Sequence, residues 1–317
     1  MEVCAGAGGQ ALGLEQAGFD HLACVEIDAA ACETLRMNRP EWGVVETDLR
    51  EWAPSPELRG VSLLAGGVPC PPFSMAGKQL GADDERDLFP EMVRLTRELQ
   101  PRAVMIENVR GLLAKKFDQY RADVIAEFEE LGYVYGGWEL FNAADFGVPQ
   151  ARLRAIFVAV QPDLAEHFEW PEPNARRVTV GQALRSLMSK GGWEQAADWA
   201  ANANDVGPAL VGGSKKHGGP DLGPTRAREY WRKLGVNGGS IAEYPPEPGF
   251  VGMPRLTVEM AAVIQGFPKN WKFSGRKTAA YRQVGNAFPP PVAAAVGHSI
   301  HQALVLADEQ GSQSVVA

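Results

Sequence analysis

Cysteine is scarce in this chain of 317 residues, which has four cysteines and no C-x-x-C pair. Such few and scattered thiols argue against both a disulfide framework and a zinc site. Long hydrophobic runs are also missing, since no apolar stretch approaches the roughly 20 residues that a membrane-spanning helix needs. Free thiols are typical of a reducing compartment, so we predict a cytoplasmic protein without a metal centre.

The chain also lacks a net positive charge, because its formal charge at pH 7 is −8. A negative total by itself disfavours a polyanionic partner. Residues 176–233, however, contain ten basic and five acidic residues, a net charge of +5 that leaves −13 for the rest of the chain. An acidic body with one basic segment is compatible with an enzyme of nucleic acids, although a basic segment can also be a solvated face.

One proline-rich stretch dominates the sequence, GGVPCPPFS at residues 66–74. The apolar run 61–65 before it predicts a buried strand, which the two glycines end. Proline fixes φ and has no N–H group, so we expect Cys70, surrounded by three prolines, on a stiff loop. Ligands bind at this carboxyl edge in open α/β sheets, so we predict that Cys70 is a nucleophile rather than a structural thiol.

A glycine-rich turn follows the first predicted strand, where Gly6, Gly8 and Gly9 precede a helical pattern. Such a turn lets a ligand approach the backbone at a helix N-terminus. Glu26 and Asp48 then end the next two predicted strands. Glu26 follows Gly6 by twenty residues, and an acid at that offset is placed to hold ribose hydroxyl groups. Together these features predict an adenosine pocket that does not require a phosphate.

Further charged side chains lie beside two later predicted strands. Glu107 ends the buried strand 103–106 and is the candidate acid or base at the edge that carries the nucleophile. Arg152 and Arg154 precede another strand, and their alternation predicts two guanidinium groups on one face, suited to a phosphate and a carbonyl oxygen. The alternative is that Glu107 caps a helix and that the arginines are ordinary surface residues.

The composition changes after residue 161, where prolines and glycines replace regular patterns. We predict three parts: a catalytic domain over 1–165, a smaller, loop-rich recognition domain over 166–254, and a return to the catalytic domain over 255–317. The small, polar tail from residue 307 is expected to be disordered. Because the chain begins directly in a predicted strand, we also expect that a few residues precede Met1 in the full-length protein.

Six segments together resemble the motifs of a known family, the DNA cytosine-5 methyltransferases of bacterial restriction-modification systems. In chain order they are CAGAGGQALGLEQAGF, GGVPCPPFSMAGK, ENVRGLL, ADFGVPQARLRAIFVAV, RLTVEMAAVIQGFP and RQVGNAFPPPVAAAVG. They span almost the whole chain outside residues 161–254. Each segment alone is a weak signal, but six in the family's order argue against an accidental resemblance.

The resemblance implies an α/β fold with a doubly wound, Rossmann-like sheet of the class I methyltransferases and an inserted target-recognition domain. It implies transfer of a methyl group from S-adenosyl-L-methionine to C5 of a cytosine flipped out of double-stranded DNA, with S-adenosyl-L-homocysteine as product. The enzyme is expected to act as a monomer, and a restriction endonuclease of the same specificity is the type of protein partner to expect.

By position, the resemblance also implies roles for individual residues. Cys70 would be the nucleophile, Glu107 would contact N3 and the exocyclic amine, and Arg154 would hold O2 with Arg152 beside it. The glycines would take the methionine part of the cofactor, Glu26 the ribose and Asp48 the adenine amine, and the full implied cofactor set is Cys4, Ala5, Gly6, Gly8, Gly9, Glu26, Ile27, Asp48, Leu49, Pro69, Leu88 and Asn286. From the loop after Cys70 and the basic segment we predict DNA contacts by Ser74, Lys78, Gln79, Lys215, Lys216, Arg226, Arg228 and Arg232.

One position departs from the family, since Cys4 stands where a phenylalanine usually packs on the adenine. A cysteine offers less stacking area, which bears on cofactor affinity but not on the identity of the site.

The chemistry calls for the same residue types. C5 of cytosine is a poor nucleophile, and addition of a thiolate to C6 makes it enamine-like. A carboxyl group that protonates N3 and an arginine at O2 both stabilise the charge that addition creates. The target atom is inaccessible inside a duplex, so the base must be flipped out, and residues 74–86 are the candidate segment to close over it.

Three other interpretations stay open. An RNA cytosine-5 methyltransferase would have the same fold, although the sizeable loop-rich region favours DNA. A Rossmann oxidoreductase is disfavoured by the Gly-x-Gly-Gly spacing and by the Pro-Cys-Pro loop. A catalytically inactive DNA-binding regulator is disfavoured because Cys70, Glu107 and Arg154 are all present.

Overall fold

The computed structural model describes residues 1–69, 87–173, 176–213 and 219–314. The strands are β1 (Glu2–Val3), β2 (Cys24–Glu26), β3 (Val44–Glu46), β4 (Leu63–Gly66), β5 (Ala103–Val109), β6 (Val134–Asn142), β7 (Gln150–Ala151), β8 (Leu153–Val160) and β9 (Gly207–Pro208). The α-helices are α1 (Gly9–Gln16), α2 (Ala29–Asn38), α3 (Phe89–Leu99), α4 (Asp118–Glu130), α5 (Val180–Met188), α6 (Ala196–Asn202), α7 (Thr225–Lys233), α8 (Val258–Gln265), α9 (Lys277–Asn286) and α10 (Pro290–Ser314).

Within the described residues, a seven-stranded sheet has the order β3-β2-β1-β4-β5-β8-β6. Strands β1 to β5 are parallel, β8 is antiparallel to β5, and β6 is antiparallel to β8. The chain order reverses at β1, with β2 and β3 on one side and β4 and β5 on the other. In doubly wound sheets this reversal opens a crevice at the carboxyl ends of the strands. The predicted doubly wound α/β fold is confirmed.

Side-chain alternation along the central strands fills both faces of the sheet. On β4, Leu64 packs in a cluster with Met92 of α3 and Phe128 of α4. Its neighbour Leu63 packs in another cluster, with Val296 of α10. Because helices cover both faces, such strands appear in the sequence as short continuous apolar runs rather than as alternating patterns.

Helix α10 corrects the expectation for the C-terminus. Its prolines lie in the first turn, where a fixed φ is favourable, but it extends to Ser314 rather than giving way to disorder at residue 307. Asp308 pairs with Arg102 beside β5, with 2.5 Å between Oδ1 and Nη1. The expectation was wrong because the composition of the tail does not reveal an ion-pair partner that is distant in the sequence.

A third hydrophobic cluster joins the central segment to the rest of the molecule. Trp199 and Trp231 from the predicted recognition domain share it with Leu12 of α1 and Met260 of α8. The predicted recognition domain therefore packs against the catalytic part through buried side chains, and the boundaries 1–165, 166–254 and 255–317 stay a prediction. In the part of the chain that the structure describes, no helix has the length and apolar character needed to cross a bilayer.

Candidate active site at the carboxyl edge of the sheet

A cavity of about 750 Å³ opens at the carboxyl ends of the central strands, where the strand order reverses. Eleven of the twelve predicted cofactor residues line it: Cys4, Ala5, Gly6, Gly9, Glu26, Ile27, Asp48, Leu49, Pro69, Leu88 and Asn286. Gly8 is the exception, because a Cβ atom there would meet Leu35 and Trp271 in the core instead.

The turn after β1 has a backbone that few side chains tolerate. Gly6 and Gly8 have φ angles of +53° and +83°, and Cys4 has a φ of +51°. Glycine adopts this left-handed region without steric cost, whereas for a cysteine it is uncommon. The strained residue and the glycines together bring the main chain to the floor of the cavity, where strain of this kind is typical of ligand sites.

Glu26 ties this turn to the end of β2. Its Oε2 accepts a hydrogen bond from the Gly6 N–H at 2.7 Å, and its Oε1 accepts from the N–H groups of Ile27 and Asp28 at 2.9 and 2.8 Å. Three main-chain donors thus fix the orientation of the carboxylate beside the cavity. Its unused lone pairs can accept hydrogen bonds from a bound molecule.

Asp48 presents a second carboxylate to the cavity. Its Oδ2 lies 2.5 Å from Nη2 of Arg50. Hydrogen bonds from the Arg50 side chain and backbone lower the pKa of Asp48 to about 2. The group is therefore an ionised acceptor at neutral pH, suited to an amine donor.

Two buried polar side chains line the same cavity without partners among the described residues. Glu2 is completely buried on β1 and Gln10 is buried at the start of α1, and neither has a hydrogen bond to its side-chain oxygens or nitrogen. Burial raises the pKa of Glu2 well above its ordinary value. Because buried polar groups are normally hydrogen-bonded, this arrangement indicates a polar ligand.

Glu107 and Arg154 form an ion pair beside the cavity. Nε of Arg154 lies 2.6 Å from Oε1 of Glu107, and both side chains are about one-seventh exposed. Glu107 itself lines the cavity. Gly67 leaves room beside it, since a Cβ atom at that position would lie 3.2 Å from Oε2 of Glu107. A carboxyl group that is held by a guanidinium beside an open space can exchange a proton with a bound base.

Arg152 corrects the prediction that both arginines lie on one face toward the substrate. It precedes β8, so strand alternation does not set its direction, and its buried guanidinium donates to the carbonyl oxygens of Leu210 and Gly285 at 2.7 and 2.9 Å. Burial and the charge of Arg154 lower its pKa. Arg152 therefore holds two main-chain segments together instead of lining the cavity.

The predicted nucleophile Cys70 lies outside the described residues, but both ends of its segment are fixed. The Pro69 carbonyl accepts from the Leu88 N–H at 3.1 Å, so the chain returns to the point from which it left. The Asn108 amide donates to the Val68 carbonyl at 2.9 Å. The Tyr120 hydroxyl and the Asp87 carboxylate are 2.8 Å apart. Sequence reasoning missed these residues, because their partners are up to 40 positions away.

The other three cysteines are poor nucleophiles. Burial raises the pKa of the Cys4 and Cys24 thiols, and it raises the pKa of Cys32 to about 11. These groups remain protonated at neutral pH, whereas the reactive form is the thiolate. Of the four cysteines in the chain, Cys70 is the remaining candidate. The described residues contain no group of three or more His, Cys, Asp or Glu side chains able to hold a metal ion.

Comparison with known proteins decides the family. A model of the C-5 cytosine-specific DNA methylase family matches residues 1–218 and 226–302. The chain belongs to this family. Similar relatives are the type II methyltransferases M.NaeI of Lentzea aerocolonigenes, 54% identical over 99% of this chain and 77% of that protein, and M.NgoMIV of Neisseria gonorrhoeae, 52% identical over 96% and 97%.

Solved structures of methyltransferases share the fold of this C-5 cytosine-specific DNA methylase. A DNA modification methyltransferase from an E. coli prophage is 23% identical with a TM-score of 0.66, covering 96% of this chain and 98% of that one. Spodoptera frugiperda DNMT2 is 18% identical with a TM-score of 0.66, covering 95% and 98%. The family and its type II relatives make the chain a DNA cytosine-5 methyltransferase of the restriction-modification type, as predicted from the six motifs.

Three of the predicted DNA contacts of this methylase lie on α7. Arg226, Arg228 and Arg232 are exposed, and none of them forms an ion pair within the described residues. The helix has four basic residues and one acidic residue, so its solvent side is positive. The other predicted contacts, Ser74, Lys78, Gln79, Lys215 and Lys216, lie outside the described residues.

Proposed function

We propose that this cytosine-5 DNA methyltransferase uses S-adenosyl-L-methionine as methyl donor in the cavity at the strand reversal. The observation that carries the proposal is the set of hydrogen-bonding side chains that line this cavity. Glu26 suits ribose hydroxyls, ionised Asp48 suits the adenine amine, and the unpartnered Glu2 and Gln10 suit an amino acid end. The cofactor, when bound, supplies a methyl group on a sulfonium and leaves as S-adenosyl-L-homocysteine.

The residues of the chain then act on the cytosine. The Cys70 thiolate would form a bond to C6 while the C5=C6 double bond opens and N3 takes a proton from Glu107. Arg154, paired with Glu107 at 2.6 Å, would stabilise the developing charge at O2. After C5 gains the methyl group, N3 would return its proton to Glu107 and C5 would lose its own proton to a base. The Cys70–C6 bond would then break, which releases the thiolate and restores the aromatic ring.

We also propose that the target base is flipped out of double-stranded DNA. A base that is stacked inside a duplex cannot reach a carboxylate that lines a crevice of the protein, so unstacking must come first. The exposed arginines of α7 support a duplex contact by the predicted recognition domain. We further propose that the enzyme acts in the cytoplasm as a monomer. A restriction endonuclease of the same specificity would accompany it.

Methylation of a plasmid followed by bisulfite sequencing tests the proposed function. We expect protected cytosines at one short sequence, only when S-adenosyl-L-methionine is supplied. A parallel reaction with transfer RNA should incorporate no methyl group. Methylation of RNA but not of DNA would contradict the proposal, and so would binding of a nicotinamide cofactor in place of S-adenosyl-L-homocysteine.

A further inference from the structure

We propose that residues 210–213, within the predicted recognition domain, form part of the cofactor site by positioning Asn286. The proposal rests on the proposed use of S-adenosyl-L-methionine. Asn286 lines the cavity at the end of α9, and its amide donates a hydrogen bond to the Gly213 carbonyl at 3.1 Å. A segment of the predicted recognition domain thus holds a side chain that lines the cavity of the predicted catalytic domain.

The backbone of this segment lies directly on the last turn of α9. A Cβ atom on Gly212 would lie 2.3 Å from the Arg282 carbonyl oxygen and 2.5 Å from Oδ1 of Asn286. A Cβ atom on Gly285 would in turn lie 2.4 Å from the Gly212 nitrogen. Contacts this close are available only to glycine, so the segment and α9 pack backbone against backbone.

Arg152 also connects the segment to α9. Its guanidinium donates to Leu210 on the segment and to Gly285 on α9, at 2.7 and 2.9 Å. The side chain is 2% exposed. A buried charged donor is costly unless its hydrogen bonds are made, so it favours the arrangement in which both carbonyl oxygens are in reach.

A chain of buried amides makes a further link. Oε1 of Gln150 accepts from the Leu210 N–H at 2.7 Å, and its Nε2 donates to Oε1 of Gln265 at 2.7 Å. Gln265 donates onward to the carbonyl oxygen of Ala287, which lines the cavity. Both glutamines are completely buried. A buried network with each of these bonds made specifies one arrangement, which here runs from the recognition segment to the cofactor wall.

A consequence is that cofactor binding and DNA binding are linked. The segment leads directly into the stretch that contains the predicted DNA contacts Lys215 and Lys216. Any displacement of residues 210–213 by a duplex would displace Asn286, and coupling of this kind is reciprocal.

A pair of glycine substitutions tests the proposal. Gly212→Ala should weaken binding of S-adenosyl-L-homocysteine in calorimetry by about tenfold, equivalent to about 1.4 kcal/mol. Gly219→Ala is the matched control, because among the described residues a Cβ atom there meets nothing nearer than Oδ2 of Asp221 at 3.9 Å. Its affinity for the ligand should equal that of the wild type. Thermal unfolding of both variants separates loss of fold from loss of positioning.

A second variant decides the case if Gly212→Ala does not fold. Arg152→Lys keeps the charge but cannot span both carbonyl oxygens, so it should also weaken binding of S-adenosyl-L-homocysteine. Arg177 is an exposed arginine, and Arg177→Lys should leave this affinity unchanged. Folded Gly212→Ala with wild-type affinity, or folded Arg152→Lys with wild-type affinity, overturns the proposal. If the wild type itself binds no S-adenosyl-L-homocysteine, the proposed function fails instead.

Discussion

Replacing Glu107 by glutamine tests the acid that the proposed chemistry needs. The amide has nearly the shape of the carboxyl group and keeps an oxygen that can accept from Nε of Arg154, now 2.6 Å from Oε1. It cannot donate a proton to N3 as a carboxylic acid does. Loss of a positioned general acid costs about 10²–10⁴ in rate. At 1.36 kcal/mol per tenfold, this corresponds to about 3–5 kcal/mol of transition-state stabilisation.

Single-turnover methylation of a duplex, with S-adenosyl-L-homocysteine binding measured in parallel, separates this effect from others. We expect the rate of Glu107→Gln to fall by about 10²–10⁴ while cofactor affinity changes little, because Glu26, Asp48 and Asn286 are untouched. The matched control is Glu98→Gln, which alters a glutamate that pairs with Arg94 on the surface of α3. Its rate and thermal stability should stay close to those of the wild type.

A Glu107→Gln rate within about threefold of the wild type would refute the role of Glu107, because loss of a general acid lowers the rate by much more than this. A parallel fall in cofactor affinity and thermal stability would instead mean that Glu107 acts through the packing of Arg154.

Three other outcomes follow from the structure. Tyr120→Phe removes the hydroxyl that is bound to Asp87 beside the Cys70 segment, so it should slow single-turnover methylation without weakening cofactor binding. Tyr244→Phe, at an exposed site, is the control and should leave the rate unchanged. A Tyr120→Phe rate equal to that of the control would contradict this prediction. Exchange of residues 176–245 with those of a family member of different specificity should change the cytosine found by bisulfite sequencing, and an unchanged site would show that recognition lies elsewhere. Alanine at Arg226, Arg228 or Arg232 should reduce the log–log salt dependence of duplex binding by about 0.9 for each phosphate that is no longer neutralised, and unchanged slopes for all three would make α7 a solvated face.

Much of the fold was predictable because its signals are local. The apolar run 61–65 predicted β4, and the structure has it at Leu63–Gly66. The N-cap of α8 is equally local, since the Thr257 hydroxyl accepts from the Met260 N–H at 3.2 Å. Glycines, caps and apolar runs act through neighbouring residues, so their structural effect can be predicted from the sequence alone.

Contacts between distant parts of the chain could not be predicted in this way. Arg152 was expected to face the substrate, yet its partners lie 58 and 133 residues away and determine its direction. Asp308 is similar, because its pairing with Arg102 opposes the disorder that its polar neighbours suggest. The family motifs predicted which residues belong to the site, but the fold decides which of them face the cavity.

The covalent step is the central claim, and trapping it is the most direct test. A duplex with fluorine at C5 of the target cytosine blocks the last step, because no proton can leave C5. With S-adenosyl-L-methionine, the wild type should form a complex stable to denaturing electrophoresis, and mass spectrometry should find the base on the peptide containing Cys70. Cys70→Ser should form no such complex and should methylate no DNA while it still binds duplex and cofactor. Methylation by Cys70→Ser, or a base attached to any other residue, would contradict the account.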